Sequence, residues 1–235
     1  MSEVLIILTT TINVNNNKTY LFQKDSSERL NIYLKAVKQW LEKTNFKICL
    51  VENSGYTFPE LADYAKLYQN RFEIISFDEI TLPEHLQHLK WNPSKGASEM
   101  YSIIHAFQHS KFHSETEFVI KITGRYYIDA LERFLLENNI SDGVKNIGIH
   151  NFDNRIIALK QNENERCEIL GIHVKFFSIF FELCLSDYKG HFYQHVEYVY
   201  ENRFKLLNPD KVLVCPAFDI EPTQMGGLVK VIDKL

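Results

Sequence analysis

The feature that most constrains this chain is the order of apolar runs in its first half. Residues 4–8 are a continuous apolar stretch rich in β-branched residues, and residues 46–51 are apolar apart from Lys47; each is closed by polar or turn-forming residues, and both read as buried strands. Residues 71–77 and 118–122 read as a third and fourth strand. Between them, Leu30, Tyr33, Leu34, Val37 and Leu41 recur at helical spacing, as do Met100, Ile103, Ile104 and Phe107, and residues 59–69 also look helical. Alternation of this kind predicts an α/β fold with a mostly parallel sheet flanked by helices.

The second half is less regular. It suggests a short helix over residues 129–137, strands over 147–150 and 155–159, helices over 173–185 and 193–204, and a late strand over 212–215. The tail from Asp219 reads as irregular. With 235 residues, no internal repeat and no linker, the two halves are expected to share one core as a single domain.

Charge and composition exclude several classes. A net charge of −4 argues against nucleic acid as the main partner, because phosphate neutralisation needs a basic surface. The N-terminus lacks the basic and apolar regions of a signal peptide. The apolar run over 174–185 contains Lys175 and Glu182 and is too short to span a bilayer. Cys49, Cys167, Cys184 and Cys215 are scattered without metal-ligand spacing, and the nine His form no HExxH, so a cytoplasmic protein without structural zinc is expected. Aromatic residues are abundant, with 17 Phe and 12 Tyr; most are expected in the core and a minority along a groove.

Ligands of open α/β sheets bind beyond the carboxyl ends of the strands. Here those ends are Thr9-Thr10-Thr11, Glu52-Asn53-Ser54-Gly55, Phe77-Asp78 and Thr123-Gly124-Arg125-Tyr126-Tyr127. No GxGxxG, GxxxxGK[ST] or GxSxG is present, which disfavours classical dinucleotide, P-loop and α/β-hydrolase sites.

Those strand ends, together with Lys95-Gly96-Ala97-Ser98-Glu99 opening a helix before the fourth strand, resemble the nucleotide-sugar half of GT-A-fold glycosyltransferases. KGASEM and VIKITGRYYI further resemble glycan-building enzymes of large DNA viruses and of bacterial capsule or lipopolysaccharide clusters. The resemblance implies a nucleotide-sugar-binding half over residues 1–128 and an acceptor-binding half over 129–235. It implies a hexosyl- or pentosyltransferase taking a nucleotide-diphosphate sugar donor and a glycan acceptor. Thr9, Thr10, Thr11, Glu52 and Asn53 would contact base and ribose, and Lys95 and Gly96 would help hold the nucleotide. The rivals are a nucleotidyltransferase making sugar nucleotides and a catalytically inactive nucleotide- or glycan-binding module. The loop after the first strand lacks the Gly and Arg that nucleotidyltransferases usually carry there.

The family's metal-binding Asp-x-Asp is replaced by Thr123-Gly124-Arg125. Manganese or magnesium is therefore not firmly implied, and Arg125 is the candidate to supply the positive charge, since a guanidinium pairs bidentately with phosphate. Its alternative role is a structural ion pair. Lys121 is a further cation, although strand alternation can turn it to the opposite face. Gly124 would admit a ligand to the backbone, and Tyr126 would stack on a sugar or pack. Asp219 and Glu221 form the only other acid-x-acid pair near a strand end and are weak metal candidates. Inverting transfer needs a general base. Glu197 and His195 are the candidates, with Glu197 taken as the base; Asp153 and Glu182 are weaker, and a solvated carboxylate is the bland alternative for Glu197.

Overall fold

A computed structural model describes residues 3–19, 21–138, 140, 155–162, 166–183 and 195–235. Strand β1 (Val4–Thr10) is buried along its whole length, which requires cover on both faces and neighbours on both edges. It pairs in parallel with β2 (Lys47–Glu52) and with β4 (Phe118–Thr123), and β3 (Phe72–Ser76) extends the parallel set beyond β2. The second half adds to the same sheet. β6 (Ile169–His173) runs antiparallel against β4, β5 (Ala158–Lys160) antiparallel against β6, and β7 (Val212–Val214) parallel to β5. The order is β3-β2-β1-β4-β6-β5-β7. Strands from both halves thus form one mostly parallel sheet, and the chain is a single α/β domain.

Strand alternation divides the core into two layers. Val4, Ile6 and Leu8 face helix α1 (Ser26–Lys43), which buries Tyr33, Val37, Trp40 and Leu41. Leu5 and Ile7 face the other layer, where helix α4 (Lys95–His109) buries Met100 and Ile103 and helix α7 (Val196–Lys205) buries Val196, Val199 and Tyr200. Both long helices start at sequence-encoded caps: Asp25 accepts from the Glu28 amide at 2.8 Å and Ser94 from the Ala97 amide at 3.3 Å. Shorter helices lie at 62–67 (α2), 88–91 (α3), 131–137 (α5) and 177–180 (α6).

The structure departs from expectation in three places. Residues 169–173, which carried no strand signal because Gly171 interrupts a short apolar run, form β6 beside β4. The helix expected over 173–185 is reduced, among the described residues, to a 3₁₀ turn and the four residues of α6. The tail is a hairpin of β8 (Asp219–Gln224) and β9 (Val231–Lys234), closed by reciprocal amide bonds between Phe218 and Leu235. The strand expected over 147–150 and the candidate Asp153 lie outside the described residues. No helix among the described residues is long and apolar enough to cross a membrane.

Trp40 ties α1 to the end of β4: it is fully buried, and its indole N–H donates to the Tyr126 carbonyl at 2.9 Å. Trp40→Phe removes that donor and leaves a buried carbonyl unsatisfied. The variant is expected to lose about 2 kcal/mol in chemical denaturation with unchanged secondary structure by circular dichroism.

Candidate functional site

The ends of β1, β2 and β4 lie side by side, with Thr10 opposite Glu52 and Thr9 opposite Thr123. Beyond them opens a cleft of about 570 Å³, within the range of small-molecule sites. Its floor is organised by one carboxylate. Glu52 is fully buried and accepts from the amides of Ile12 at 2.9 Å, Ser54 at 2.9 Å and Tyr56 at 2.8 Å, and from the Ser54 hydroxyl. These bonds fix the turns after both β1 and β2. Burial raises the Glu52 pKa from its ordinary value while the four donors oppose the rise. The threonines are tied down as well: Thr10 donates to the Val51 carbonyl at 2.8 Å and Thr11 to Asn53 Oδ1 at 2.6 Å.

One side of the cleft is cationic. Arg29, on the first turn of α1, is buried and donates to the carbonyls of Thr11 at 2.5 Å and Gln23 at 3.0 Å and to the Tyr33 hydroxyl at 2.8 Å. Arg125 is buried beside it and donates to Gln23 Oε1 at 2.8 Å and the Gln224 carbonyl at 3.0 Å. The two guanidinium carbons lie 5.6 and 5.9 Å from the Tyr33 ring centroid. Among the described residues neither has a carboxylate within ion-pair distance. Burial lowers the Arg29 pKa; Tyr33 opposes this, the charge of Arg125 adds to it, and the more distant Glu52 opposes it. The hairpin loop roofs the pair: Gly226 passes so close that an added Cβ would sit 2.7 Å from Arg125 Nη2.

The opposite side, under α4 and α7, is acidic. Glu99 Oε1 accepts from Thr9 Oγ1 at 2.7 Å and pairs with Lys121 Nζ at 2.9 Å. Lys121 is fully buried and also donates to the Cys167 carbonyl at 2.6 Å and Thr123 Oγ1 at 3.2 Å. Burial works against its charge, yet Glu99 and, farther off, Glu168 raise its pKa overall. Glu197, on the first turn of α7, lines the same side, and exposed His195 precedes it with its ring 5.9 Å from that of Tyr198. Burial pushes the Cys167 thiol well above its ordinary value, which disfavours a thiolate nucleophile there.

Of the residues singled out from sequence, Thr9, Thr10, Thr11, Asn53, Lys95, Gly96, Thr123, Arg125, Tyr126, His195 and Glu197 line this one cleft. Glu52 does not; it holds the cleft's loops rather than facing a ligand. Gly124 does not either. Its close neighbour is β1, with an added Cβ only 2.6 Å from Thr10 Cγ2 and 2.9 Å from the Thr9 carbonyl, so that glycine serves strand packing rather than ligand approach. Gly96 has a packing role too, since a Cβ there would meet Val196 Cβ at 2.5 Å; the contact presses α7 against the start of α4. Lys121 points toward α4 and is held by Glu99. Tyr126 and Tyr127 are mainly core residues, and burial pushes the Tyr126 phenol up to about 12. Exposed Glu182 lies outside the cleft lining, and the Asp219–Glu221 pair is engaged by Lys234, Lys35 and Gln39. Among the described residues no group of three or more His, Cys, Asp or Glu is placed to hold a metal ion.

Sequence reasoning gave no site role to Arg29, Tyr33, the Arg166–Glu168 segment or the hairpin loop at Met225–Leu228, and named Glu99 only within the segment that opens α4; all of these line the cleft. The pairing of Arg29 with Tyr33 at helical i,i+4 spacing was the available signal for the first two. The others converge only through tertiary structure.

No family model matches this chain, and no curated protein does. Among solved structures it is similar to a provisional nucleotide-diphospho-sugar transferase of Desulfovibrio desulfuricans G20, at 12% identity and a TM-score of 0.48 over 92% of this chain and 80% of that one. It is also similar to a glycosyltransferase involved in glycosylating the major capsid of PBCV-1, at 13% identity and a TM-score of 0.44 over 90% of this chain and 81% of that one. A cytidylyltransferase from Leptospira borgpetersenii matches at 13% identity and a TM-score of 0.44, over 91% and 76% of the two chains. The chemistry of the cleft has to be read from this chain's own residues.

Glu52→Gln replaces one oxygen by an NH₂ group facing donors. It is expected to cost about 2 kcal/mol in stability, read from the denaturation midpoint. Unchanged stability would mean that Glu52 does not organise the two turns.

Proposed function

We propose that this protein is a GT-A-type glycosyltransferase that moves a sugar from a nucleotide-diphosphate donor to a glycan acceptor. The observation that carries the reading is the pair of buried guanidiniums, Arg29 and Arg125, facing the cleft without an ion-paired carboxylate among the described residues. Buried charges are ordinarily paired, and a diphosphate supplies the missing anion in a geometry that guanidinium groups match. Arg125 stands where the resembled family carries its metal ligands, so the positive charge at the leaving group comes from the protein and transfer is metal-independent.

In this reading the diphosphate lies toward Arg29 and Arg125, with Lys95 adding charge at the rim. The sugar extends toward Glu99 and Glu197. Thr9, Thr10, Thr11 and Asn53 shape the nucleotide end, Thr123 and Tyr126 the floor. Glu197 takes the proton from the acceptor hydroxyl as that oxygen attacks the anomeric carbon. The bond from that carbon to the diphosphate oxygen breaks, and the guanidiniums stabilise the charge left on the diphosphate. His195 at the cleft edge contacts the acceptor. Donor contacts come chiefly from residues 1–128 and acceptor contacts from 129–235, with the hairpin loop reaching back to the donor.

Screening a panel of nucleotide sugars by thermal shift, followed by acceptor-free hydrolysis of those that bind, tests the reading. Glu197→Gln is expected to lower turnover by about 10²- to 10⁴-fold with donor affinity retained, and EDTA is expected to leave wild-type turnover intact. Strict dependence on manganese would overturn the metal-independent mechanism. Binding without turnover of any donor, with or without acceptor, would overturn the enzyme.

A further inference from the structure

The acidic side of the cleft has a built component that binding a diphosphate does not explain. Glu99 is held from behind on one oxygen only. Oε1 receives the Thr9 hydroxyl and the Lys121 ammonium, whereas Oε2 has no hydrogen-bond partner among the described residues, and the side chain, 22% exposed, lines the cleft. The support is expensive: Lys121 is completely buried and its three polar contacts go to Glu99, Thr123 and the Cys167 carbonyl. A buried ion pair is a poor stabiliser compared with apolar packing, but it fixes a carboxylate's position. The contact of Gly96 with Val196 clamps the same helical turn against α7, and Glu197 opens onto the same side.

We infer that Glu99 is a specificity-determining residue that reads the hydroxyl groups of a neutral sugar, or the ammonium of an amino sugar, and excludes sugars bearing a carboxylate. This rests on the donor reading above. An ionised carboxylate only accepts hydrogen bonds. A sugar hydroxyl or ammonium donates to Oε2, whereas a uronate offers a second acceptor-only group. Lys121 cannot relieve that clash, because it is enclosed behind Glu99, and the charge of Glu197 adds repulsion. A mismatch of this kind discriminates by leaving the wrong ligand unpaired in a desolvated site.

The test is calorimetric binding of matched donors that differ at C6 in a hydroxymethyl or a carboxylate, such as UDP-glucose with UDP-glucuronate and GDP-mannose with GDP-mannuronate. The neutral member is expected to bind at least about tenfold more tightly to wild-type protein, and Glu99→Gln, whose amide can donate, is expected to bring the ratio toward parity. Equal binding of both members by wild-type protein overturns the inference and leaves the donor reading standing; this arm needs no variant, so it holds if Glu99→Gln fails to fold with Lys121 unpaired. A strong wild-type preference unaltered in folded Glu99→Gln overturns the role of Glu99. Binding of no nucleotide sugar at all overturns the donor reading and this inference with it.

Discussion

Two guanidinium groups buried against one tyrosine ring create a charge that no ion pair among the described residues neutralises. Arg29 comes from α1, Arg125 from the turn after β4, and Gln23 joins them by accepting from one through its carbonyl and from the other through its side chain. The Gln224 carbonyl brings the hairpin onto the same group. Three segments distant in sequence, residues 23–29, the turn after β4 and the hairpin, therefore meet on these two cations. Keeping like charges together in a desolvated place is costly, and proximity to Tyr33 offsets only part of that cost. A ligand anion would be the natural complement, which is why the proposed function is built around this pair.

The cleft's two sides differ because they belong to opposite faces of the sheet. α1 and the residues that pack with it supply the cationic side, while α4 and α7 supply Glu99 and Glu197 from the other layer. The strand ends between them are held by Glu52, the threonines and the close passage of Gly124 against Thr9 and Thr10. Donor and acceptor groups in the floor are largely satisfied within the protein, so the floor acts as a rigid platform and the ligand-facing chemistry falls to side chains at the two edges.

Much of this arrangement was legible in the sequence, for physical reasons that differ by element. The β-α alternation through residue 123 announced the parallel sheet because strands covered on both faces are mostly apolar, even where a single lysine interrupts them, as Lys47 does in β2 and Lys121 in β4. The strand ends then pointed to the cleft, since parallel strands place their carboxyl ends on one edge. The second half was harder to read. β6 is five residues with a central glycine, and the hairpin alternates exposed polar residues around Pro222 and Gly226-Gly227, so neither has a local pattern strong enough to be seen. Glu52 and Gly124 were placed at the right strand ends but with the wrong partners: sequence identifies which residues reach the edge, whereas their hydrogen bonds and close contacts depend on neighbours distant in sequence. Arg29 has no legible role, and Glu99 none beyond its place in the Lys95–Glu99 segment, for the same reason: each is an ordinary helix residue until the opposite wall of the cleft is present.

The central claim, that Arg29 and Arg125 together hold a diphosphate, is tested most directly by nitrogen-15 NMR of the arginine side chains during titration with nucleoside diphosphates, without added metal. The account predicts that two guanidinium resonances, assigned by Arg29→Lys and Arg125→Lys, shift together and saturate with at least one nucleoside diphosphate. Saturable binding that leaves both resonances unmoved, or no binding by any nucleoside diphosphate until manganese is added, would contradict it.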